Sequence, residues 1–463
     1  MKSKYFKIIC LTAGLSTVMI SSCKKFLEID PPINAFNAST AYDTDDLVRS
    51  NIAGLHSYNF IVGSGYYDTD SHLFPGMSAD EISYYTTAYD EFLDNNIQDI
   101  NTTNRNMWIY PYKTVYQSNL MLTALESATK ISAPVKAEAY ATAKFFRALA
   151  HLNLVSLYGD VPIVLTSDVK TSTNLPRSPK EEVYKQIITD LLDAKASFKG
   201  INKSNLYVNE KSTTAILARA YLYDKQWQKA ADAATELISG PLKGTLTLED
   251  IGKVFQRVSR ETILAISSDG SEKTRVNYTY PGTLYLPTVR TIYNITPNLY
   301  NAFEAGDLRK ANWIGTFNGT VGTTYYPFKY KLRAAPSNTA LAEDQVLIRL
   351  SEMILTRAEA LAQLDRTGEA MDDVNAIRGR AGLGVLPRTL GKSDALLAIE
   401  KERRLELFCE GHRWIDLVRT GRADAVLGAL KGSKWKSTAV LYPIPAKEIE
   451  LNPKLTPNPG YNR

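Results

Sequence analysis

The spacing of apolar residues between Lys211 and Gly240 predicts two helices joined by a short polar turn. In each half of this segment, apolar residues recur at intervals of three and four, which places them on one face of a helix. The polar run that starts at Asp224 interrupts the pattern, and Gly240 followed by Pro241 ends it. Many of the apolar residues are alanines, whose small side chains let two helices approach closely. The segment is therefore predicted to fold as an antiparallel helical hairpin.

A short motif within the first of these helices occurs twice more in the chain. An arginine followed by alanine, with an apolar residue two positions before it, is found at Arg147, Arg219 and Arg357. After the last of them, a polar run from Asp365 to Gly368 leads into another amphipathic stretch. Since a helix pair cannot bury its apolar face alone, such pairs must pack on one another, as in tetratricopeptide solenoids. The alternative is that alanine-rich helices resemble one another by chance.

The chain divides into helical stretches and two long segments without a clear helical period. We predict a signal peptide over residues 1–22, a tether over 23–36 and a single domain over 37–463. Within the domain, helical repeats are expected at about 37–60, 104–240 and 344–430, and loop-rich insertions at about 61–103 and 242–343. The predicted fold class is mainly α, with a tetratricopeptide-like scaffold of helical hairpins and an irregular ligand-binding face of loops and short strands.

Some elements can be placed more closely. Ser178, followed by Pro179 and by Glu181 three positions on, matches a capping box, so a helix is expected to start there. A further helix is predicted from Gln345 to Gln363, and Ile263–Ile266 is predicted to form a short strand. These placements leave many of the tyrosines in the two insertions.

The two insertions carry an unusual concentration of aromatic side chains. The chain has 27 tyrosines, and many of them lie among Gly, Asn, Thr and Pro instead of on a helical face. Exposed rings can stack on the apolar faces of sugar rings, while Asn and Asp side chains bond hydroxyl groups. The candidate ligand-binding residues are Tyr66, Tyr67, Tyr84, Tyr85, Tyr89, Trp313, Tyr325 and Tyr326. The alternative is that these rings pack down on the helices as ordinary core.

The amino-terminal segment has the features of a bacterial lipoprotein signal. Three lysines up to Lys7 precede an apolar run from Ile8 to Ile20, which is short for a membrane span. Two serines and then Cys23 follow, in an arrangement that resembles the lipoprotein box, where cleavage precedes a lipidated cysteine. Cys23 is therefore the predicted lipidation site, and several acyl chains would anchor it to a membrane stably. The alternative is an ordinary signal peptide with an incidental cysteine.

Composition argues against several classes of site. Only four histidines and three cysteines occur, so neither a histidine-rich metal site nor a structural disulfide is expected. Removal of the leader, with its three lysines, lowers the formal charge of +5 by three and leaves the chain nearly neutral. Such a charge gives no reason to expect nucleic-acid binding. We expect no metal, no cofactor and no nucleic-acid partner.

The sequence carries no motif that points to catalysis. Asp80 and Glu81 are adjacent, and adjacency does not set the separation of roughly 5–10 Å that a glycosidase pair needs. The charged residues from Glu402 to Glu406, near His412, are interpreted as a network that ties the last helices together. Neither a nucleophile elbow nor a zinc-protease motif occurs. The protein is predicted not to be an enzyme; a secreted glycan-processing enzyme on a helical frame is the alternative.

Several segments carry more distinctive motifs. They are Ala143–Ala148, Leu157–Pro162, Arg177–Pro179, Leu350–Ala360, Asn375–Gly382, Glu402–Leu407, Glu410–Gly421, Tyr442–Pro445 and Asn458–Tyr461. Together with the Cys23 tether, these motifs resemble those of the SusD/RagB family of surface nutrient-binding lipoproteins of Bacteroidetes. The resemblance extends over essentially the whole chain.

The resemblance implies a tetratricopeptide-like, non-catalytic protein that binds an oligosaccharide or polysaccharide. It also implies delivery of that ligand to a SusC-like TonB-dependent outer-membrane transporter, which the protein covers as a lid. A peptide ligand is the alternative, because some relatives bind peptides, and a purely structural lid is a third hypothesis. The matched motifs belong to the scaffold, so no ligand-binding residue follows from them. The implied location is the outer membrane, with a lipid anchor, facing the cell exterior.

Overall fold

The computed structural model of the protein describes residues 41–60, 66–266, 268, 277–320 and 322–461. The predicted signal peptide and tether lie outside these residues, so lipidation of Cys23 stays a prediction. Within the described ranges, no helix combines the length and the apolar character needed to cross a bilayer.

Helices dominate the described part of the chain. They are α1 (Asp45–Phe60), α2 (Ser71–Ser78), α3 (Asp90–Leu93), α4 (Thr102–Ser127), α5 (Ala133–Tyr158), α6 (Val169–Ser172), α7 (Lys180–Phe198), α8 (Glu210–Tyr223), α9 (Trp227–Ile238), α10 (Tyr280–Tyr285), α11 (Pro297–Ala302), α12 (Leu308–Trp313), α13 (Leu350–Gln363), α14 (Thr367–Arg380), α15 (Lys392–Leu407), α16 (Arg413–Arg419), α17 (Ala423–Lys431) and α18 (Ala446–Leu451). The strands are β1 (Ile82–Tyr84), β2 (Thr262–Ile266), β3 (Tyr293–Ile295), β4 (Ile314–Gly319), β5 (Gly322–Pro327) and β6 (Gln345–Arg349). The mainly α fold class is confirmed.

The long helices pack on one another in a continuous array. Helix α4 packs on α5, α5 on α7, α7 on α8, and α8 on α9. Helix α9 then packs on α13, which also contacts α14 and α15. The segment between α9 and α13 is therefore an insertion that leaves the helical stack unbroken.

The predicted hairpin between Lys211 and Gly240 consists of α8 and α9. In its turn Lys225 adopts the left-handed backbone conformation, with φ of +58°, and Asp365 does so between α13 and α14, with φ of +62°. In both turns the N–H of the next residue donates to a helix carbonyl five residues earlier, at 2.8 and 2.9 Å. The two helix pairs therefore share one turn geometry, as a structural repeat requires.

The recurring arginines link neighbouring helices through buried or half-buried ion pairs. Arg147 of α5 donates two hydrogen bonds of 2.7 Å to Asp190 of α7. Arg219 of α8 donates to Glu352 of α13, also at 2.7 Å. Arg357 forms an equivalent pair between α13 and α14. The motif found in the sequence thus marks contacts from helix to helix.

Strand pairing ties the two predicted insertions to each other and to the scaffold. Strand β1 pairs antiparallel with β3, so that Tyr84 lies opposite Tyr293. Strand β4 pairs with β5 as a hairpin, and β3 packs against β5. Strand β2, which confirms the strand predicted at Ile263–Ile266, pairs with β6 at the start of α13. These pairings place the irregular segments side by side.

Two local predictions are wrong in detail. Residues 345–349 do not begin a helix, because they form β6 and pair with β2; α13 begins at Leu350. Ser178 does not cap α7, which begins at Lys180 and shows no side-chain cap from the residue before it. The Lys180 N–H donates instead to the carboxylate of Asp160 at 2.9 Å. In both places a partner distant in sequence replaces the local interaction.

A buried charged network joins the second insertion to the last helices. Arg309 of α12, with 0% of its surface exposed, donates to Asp307 at 2.8 Å and to Glu402 of α15 at 2.6 Å. Glu406 accepts hydrogen bonds from both Arg309 and Arg349. An unpaired charge in such a place costs several kcal/mol. The interpretation of Glu402 to Glu406 as a structural network is confirmed.

Candidate functional site

Partly exposed tyrosines gather where the two insertions meet. The ring of Tyr84 lies at the centre, with its centroid 4.9 Å from that of Tyr85, 4.7 Å from Tyr89 and 5.1 Å from Tyr293. The β1–β3 pairing holds this group together, since the Tyr85 N–H donates to the Ile292 carbonyl at 3.1 Å. We refer to Tyr84, Tyr85, Tyr89 and Tyr293 as the tyrosine cluster.

The members of the tyrosine cluster differ in exposure. Tyr85 is 45% exposed, Tyr84 and Tyr89 are half-buried, and Tyr293 is buried. Burial, and then the neighbouring phenols of Tyr85 and Tyr89, raise the pKa of Tyr84. The Tyr84 hydroxyl therefore stays protonated at physiological pH and keeps its hydrogen-bond donor. Tyr85 offers the most open ring surface of the cluster.

A second aromatic group lies on the neighbouring hairpin. The rings of Tyr325 and Tyr300 stack nearly parallel, with centroids 3.7 Å apart and planes inclined by 18°. The Nζ of Lys310 lies 3.8 Å from the Tyr300 centroid. Because both neighbours are this close, they must occupy opposite faces of Tyr300. We call this arrangement of Tyr325, Tyr300 and Lys310 the tyrosine stack; Tyr325 is half-buried in it.

The tyrosine cluster and the tyrosine stack adjoin each other, and together we call them the aromatic site. Thr291 and Thr324 bond through their hydroxyls at 2.9 Å, next to the β3–β5 contact. The exposed polar side chains at the margin are Thr86, Thr87, Thr316, Asn318 and Thr323. Rings beside hydroxyl and amide groups suit a ligand that has both apolar faces and hydroxyls.

Tyr66 and Tyr67 belong to the core, which corrects their predicted role in ligand binding. Their side chains are 5% and 6% exposed, and Tyr67 packs edge-on against Phe60 of α1. Asn153 of α5 donates to the Tyr67 hydroxyl at 3.0 Å. Tyr67 also lines a cavity of about 90 Å³. Because both rings are buried, they are unavailable to an external ligand.

Trp313 is buried as well, so its predicted role is also corrected. It has no exposed surface, and its Nε1–H donates to the Ile251 carbonyl at 2.9 Å. The Nζ of Lys329 lies 4.8 Å from the ring centroid, and the guanidinium of Arg349 lies 5.7 Å from it. Trp313 therefore packs against the cations of the buried charged network.

Tyr326 and its neighbour Tyr325 have different surroundings. The ring of Tyr326 lies across Gly315 of the paired strand, where an added Cβ would come within 2.2 Å of the ring. It also packs edge-on against Phe328, at 5.7 Å between centroids. Side chains alternate in direction along a strand, so Tyr326 points away from Tyr325. The structure therefore brings Tyr84, Tyr85, Tyr89 and Tyr325 together and leaves Tyr326 apart.

Four residues of the aromatic site are not among the sequence-predicted candidates. They are Tyr293, Tyr300, Lys310 and Arg290, whose guanidinium carbon lies 5.4 Å from the centroid of the Tyr85 ring. Tyr293 stands out in the sequence only as one more tyrosine of the second insertion. It pairs with Tyr84 of β1, which lies in the other insertion and is far away in the sequence. No local sequence pattern indicates such a contact.

Asp80 and Glu81 are engaged in structural contacts. The carboxylate of Asp80 pairs with Arg413 at 2.9 Å and with Arg404 at 2.8 Å. The Cys409 N–H donates to Glu81 at 3.2 Å. Burial first, and the charge of Asp80 second, raise the pKa of Glu81 to about 8. These two acids are buried and do not form an open acid–base pair.

The Glu81→Gln variant is expected to alter the pH dependence of stability. A carboxyl whose folded-state pKa is raised stabilises the protein fully below its ordinary pKa of 4.5, and this contribution is lost as pH rises through about 8. Since glutamine cannot ionise, the melting temperature of the variant minus that of the wild type should increase between pH 6 and pH 9. Thermal unfolding followed by circular dichroism measures this difference. The exposed Glu181→Gln variant is the control, and an unchanging difference for Glu81→Gln would contradict the expectation.

A groove of about 480 Å³ lies on the helical side, between α8, α13, α15 and α16. Most of its charged side chains are already paired, as Arg419 is with Glu359 at 2.5 Å and Arg422 with Glu400 at 2.8 Å. The groove therefore offers few unpaired charged groups to a ligand. Across the described residues, no group of three or more His, Cys, Asp or Glu side chains is placed to hold a metal ion.

Comparison with known proteins extends over most of the chain. A family model named SusD family matches residues 303–461, and one described as "Starch-binding associating with outer membrane" matches residues 25–222. The chain belongs to the SusD/RagB family. The SusD family match includes the tyrosine stack's hairpin and helices α13 to α18, so it extends from the insertion into the scaffold.

Similar proteins match almost end to end. SusD-like protein P38 of Formosa agariphila is 24% identical over 519 aligned positions, which cover 99% of this chain and 100% of that protein. A SusD superfamily structure from Bacteroides vulgatus has a TM-score of 0.79 at 21% identity, covering 90% of this chain and 99% of that one. A laminarin-binding SusD-like protein has a TM-score of 0.73 at 24% identity, covering 91% and 100%. At these identities the solved structures establish a shared SusD fold.

Proposed function

We propose that this SusD/RagB protein binds an oligosaccharide or polysaccharide at the aromatic site. Two observations carry the proposal: the partly exposed ring of Tyr85 in the tyrosine cluster, and the stacked ring of Tyr325 in the adjoining tyrosine stack. Exposed hydroxyl and amide side chains lie at the margin of both. The starch-binding description of one matching family and the laminarin-binding title of one structural neighbour agree with it.

The aromatic site suits capture of a long chain. Several of its rings are partly exposed at the surface, so a polymer can lie along them. Its rings are held by strand pairing and by one another, so little ordering cost opposes binding. The acids considered for catalysis support a non-enzymatic role, because Asp80 is ion-paired and Glu81 is buried.

The proposal includes delivery of the bound glycan to a SusC-like TonB-dependent transporter of the outer membrane. A lipid anchor on Cys23 would hold the protein beside that partner, where weak binding at one site is sufficient. The surface facing the cell exterior is the proposed location. Mass spectrometry of the mature amino-terminal peptide tests the anchor, and an unacylated Cys23 would overturn this part of the proposal.

Affinity electrophoresis against polysaccharides, combined with a depolymerisation assay, tests the binding function. We expect the migration of the purified protein to be retarded by at least one glycan, without release of reducing ends. Glycan cleavage that a carboxylate substitution abolishes would favour the alternative of a glycan-processing enzyme. Retention of peptides alone would favour the peptide-binding alternative, and no affinity for either would leave a structural lid.

A further inference from the structure

Arg290 is unlike the other arginines of the described residues. Each of the others pairs with a carboxylate or, like Arg177 and Arg333, donates to backbone carbonyls. Arg290 is exposed, and it lies against an aromatic ring: its guanidinium carbon is 5.4 Å from the centroid of Tyr85. Its donors are therefore available at the most open ring of the aromatic site.

A second cation occupies a similar position at the tyrosine stack. Lys310 lies against Tyr300 and forms no ion pair among the described residues. The nearest acids along its chain are committed elsewhere, since Glu304 pairs with Arg378 and Asp307 with Arg309. Both parts of the aromatic site thus hold a positive charge that no carboxylate of the described chain neutralises.

The chemistry of these groups favours an anionic ligand. A guanidinium presents a planar set of donors that matches a carboxylate or a sulfate group with two parallel hydrogen bonds. Contact with the Tyr85 ring holds the guanidinium close to that ring, so less orientational freedom is lost when an anion binds. A sugar ring stacked on Tyr325 or Tyr85 would place its substituents in the aromatic site, where Arg290 and Lys310 lie.

We propose that the aromatic site selects an acidic glycan, whose carboxylate or sulfate group is bound by Arg290. This inference rests on the proposed function, because it assigns a ligand class to the same site. Lys310 supports the selection through its charge at the other end of the site.

The test compares acidic and neutral glycans on the purified protein. Affinity electrophoresis would use polygalacturonate and alginate as carboxylate probes, dextran sulfate as a sulfate probe, and laminarin and amylose as neutral probes. We expect at least one acidic probe to bind, with an affinity that falls as salt is raised. Arg290→Gln should weaken that binding roughly ten- to hundred-fold, in line with a hydrogen bond to a charged group. Neutral binding should be unchanged.

Two further variants separate specific recognition from general effects. Arg290→Lys keeps the charge and loses the planar set of donors, so an intermediate loss is expected. Arg388→Gln removes an exposed arginine of the helical side, paired with Asp372, and should leave acidic binding intact. Melting temperatures would confirm that all three variants fold.

Each other outcome overturns the inference. Binding of neutral probes alone would overturn it and leave the proposed function standing, whereas no binding to any probe would overturn both. If Arg290→Gln lost the same affinity for acidic and neutral probes, Arg290 would only position the Tyr85 ring and would not bind the acidic group. An equal loss in Arg388→Gln would indicate unspecific charge attraction.

Discussion

Replacement of Arg309 by methionine is expected to lower the free energy of unfolding by about 3–5 kcal/mol. The guanidinium is fully buried and donates to Asp307, Glu402 and Glu406. Burial by itself would raise the pKa of Glu406. The charges of Arg380, Arg349 and Arg309 outweigh this effect and hold the pKa well below its ordinary value. Without Arg309, too few cations remain to neutralise the buried carboxylates, and the ion pairs between α12 and α15 are lost.

Chemical denaturation followed by circular dichroism measures this loss. Arg366→Met is the matched control, because Arg366 forms a 2.7 Å pair with Glu369 in which the side chains are 44% and 52% exposed. Exposed pairs of this kind contribute little, so the control should lie within about 0.5 kcal/mol of the wild type. If Arg309→Met and Arg366→Met had similar stabilities, the network would not hold the insertion in the way proposed.

Removal of the Tyr85 and Tyr325 rings from the aromatic site is expected to abolish measurable glycan binding. An aromatic side chain at the centre of a binding site contributes about 2 kcal/mol, which is roughly thirty-fold in affinity for each ring. Tyr85→Ala and Tyr325→Ala lie in different groups of the site, so their effects should nearly add in the double variant. Isothermal titration with a glycan that binds the wild type measures the affinities. Tyr85→Phe should retain most of the binding, since the stacking surface remains.

Tyr207 provides a control matched in exposure and in surroundings. It is 45% exposed, as Tyr85 is, and the Nζ of Lys203 lies 5.8 Å from its ring centroid. It packs against His56 of α1, away from the residues of the aromatic site. Tyr207→Ala should therefore leave affinity unchanged. An equal loss in Tyr207→Ala, or full binding by the double variant, would refute the assignment of the site.

The helical scaffold could be predicted from the sequence because its signals are local. The three- and four-residue spacing between Lys211 and Gly240 and the polar turns at Lys225 and Asp365 lie within single helix pairs. The recurring arginine motif was visible for the same reason. The partners of these arginines, such as Asp190 for Arg147, could not be predicted. The ion pairs join different helices, and the sequence pattern does not show which helices pack together.

The sorting of the aromatic residues required the tertiary structure. Tyr67 and Tyr85 occur in similar irregular stretches, yet α1 and α5 cover Tyr67, while β1–β3 pairing leaves Tyr85 at the surface. Trp313 is likewise a candidate from the sequence, but in the structure it is fully buried against the charged network.

By itself, the sequence determined the helix pairs, the family resemblance and the two segments in which a site could lie. Only the tertiary structure decided which rings are exposed and how Tyr293 and Tyr300 join them. It also decided that Arg290 lies beside Tyr85 without a carboxylate partner among the described residues. The physical reason is that helical periodicity depends on residues three or four apart. Exposure and charge pairing depend on whichever distant segment packs against a side chain.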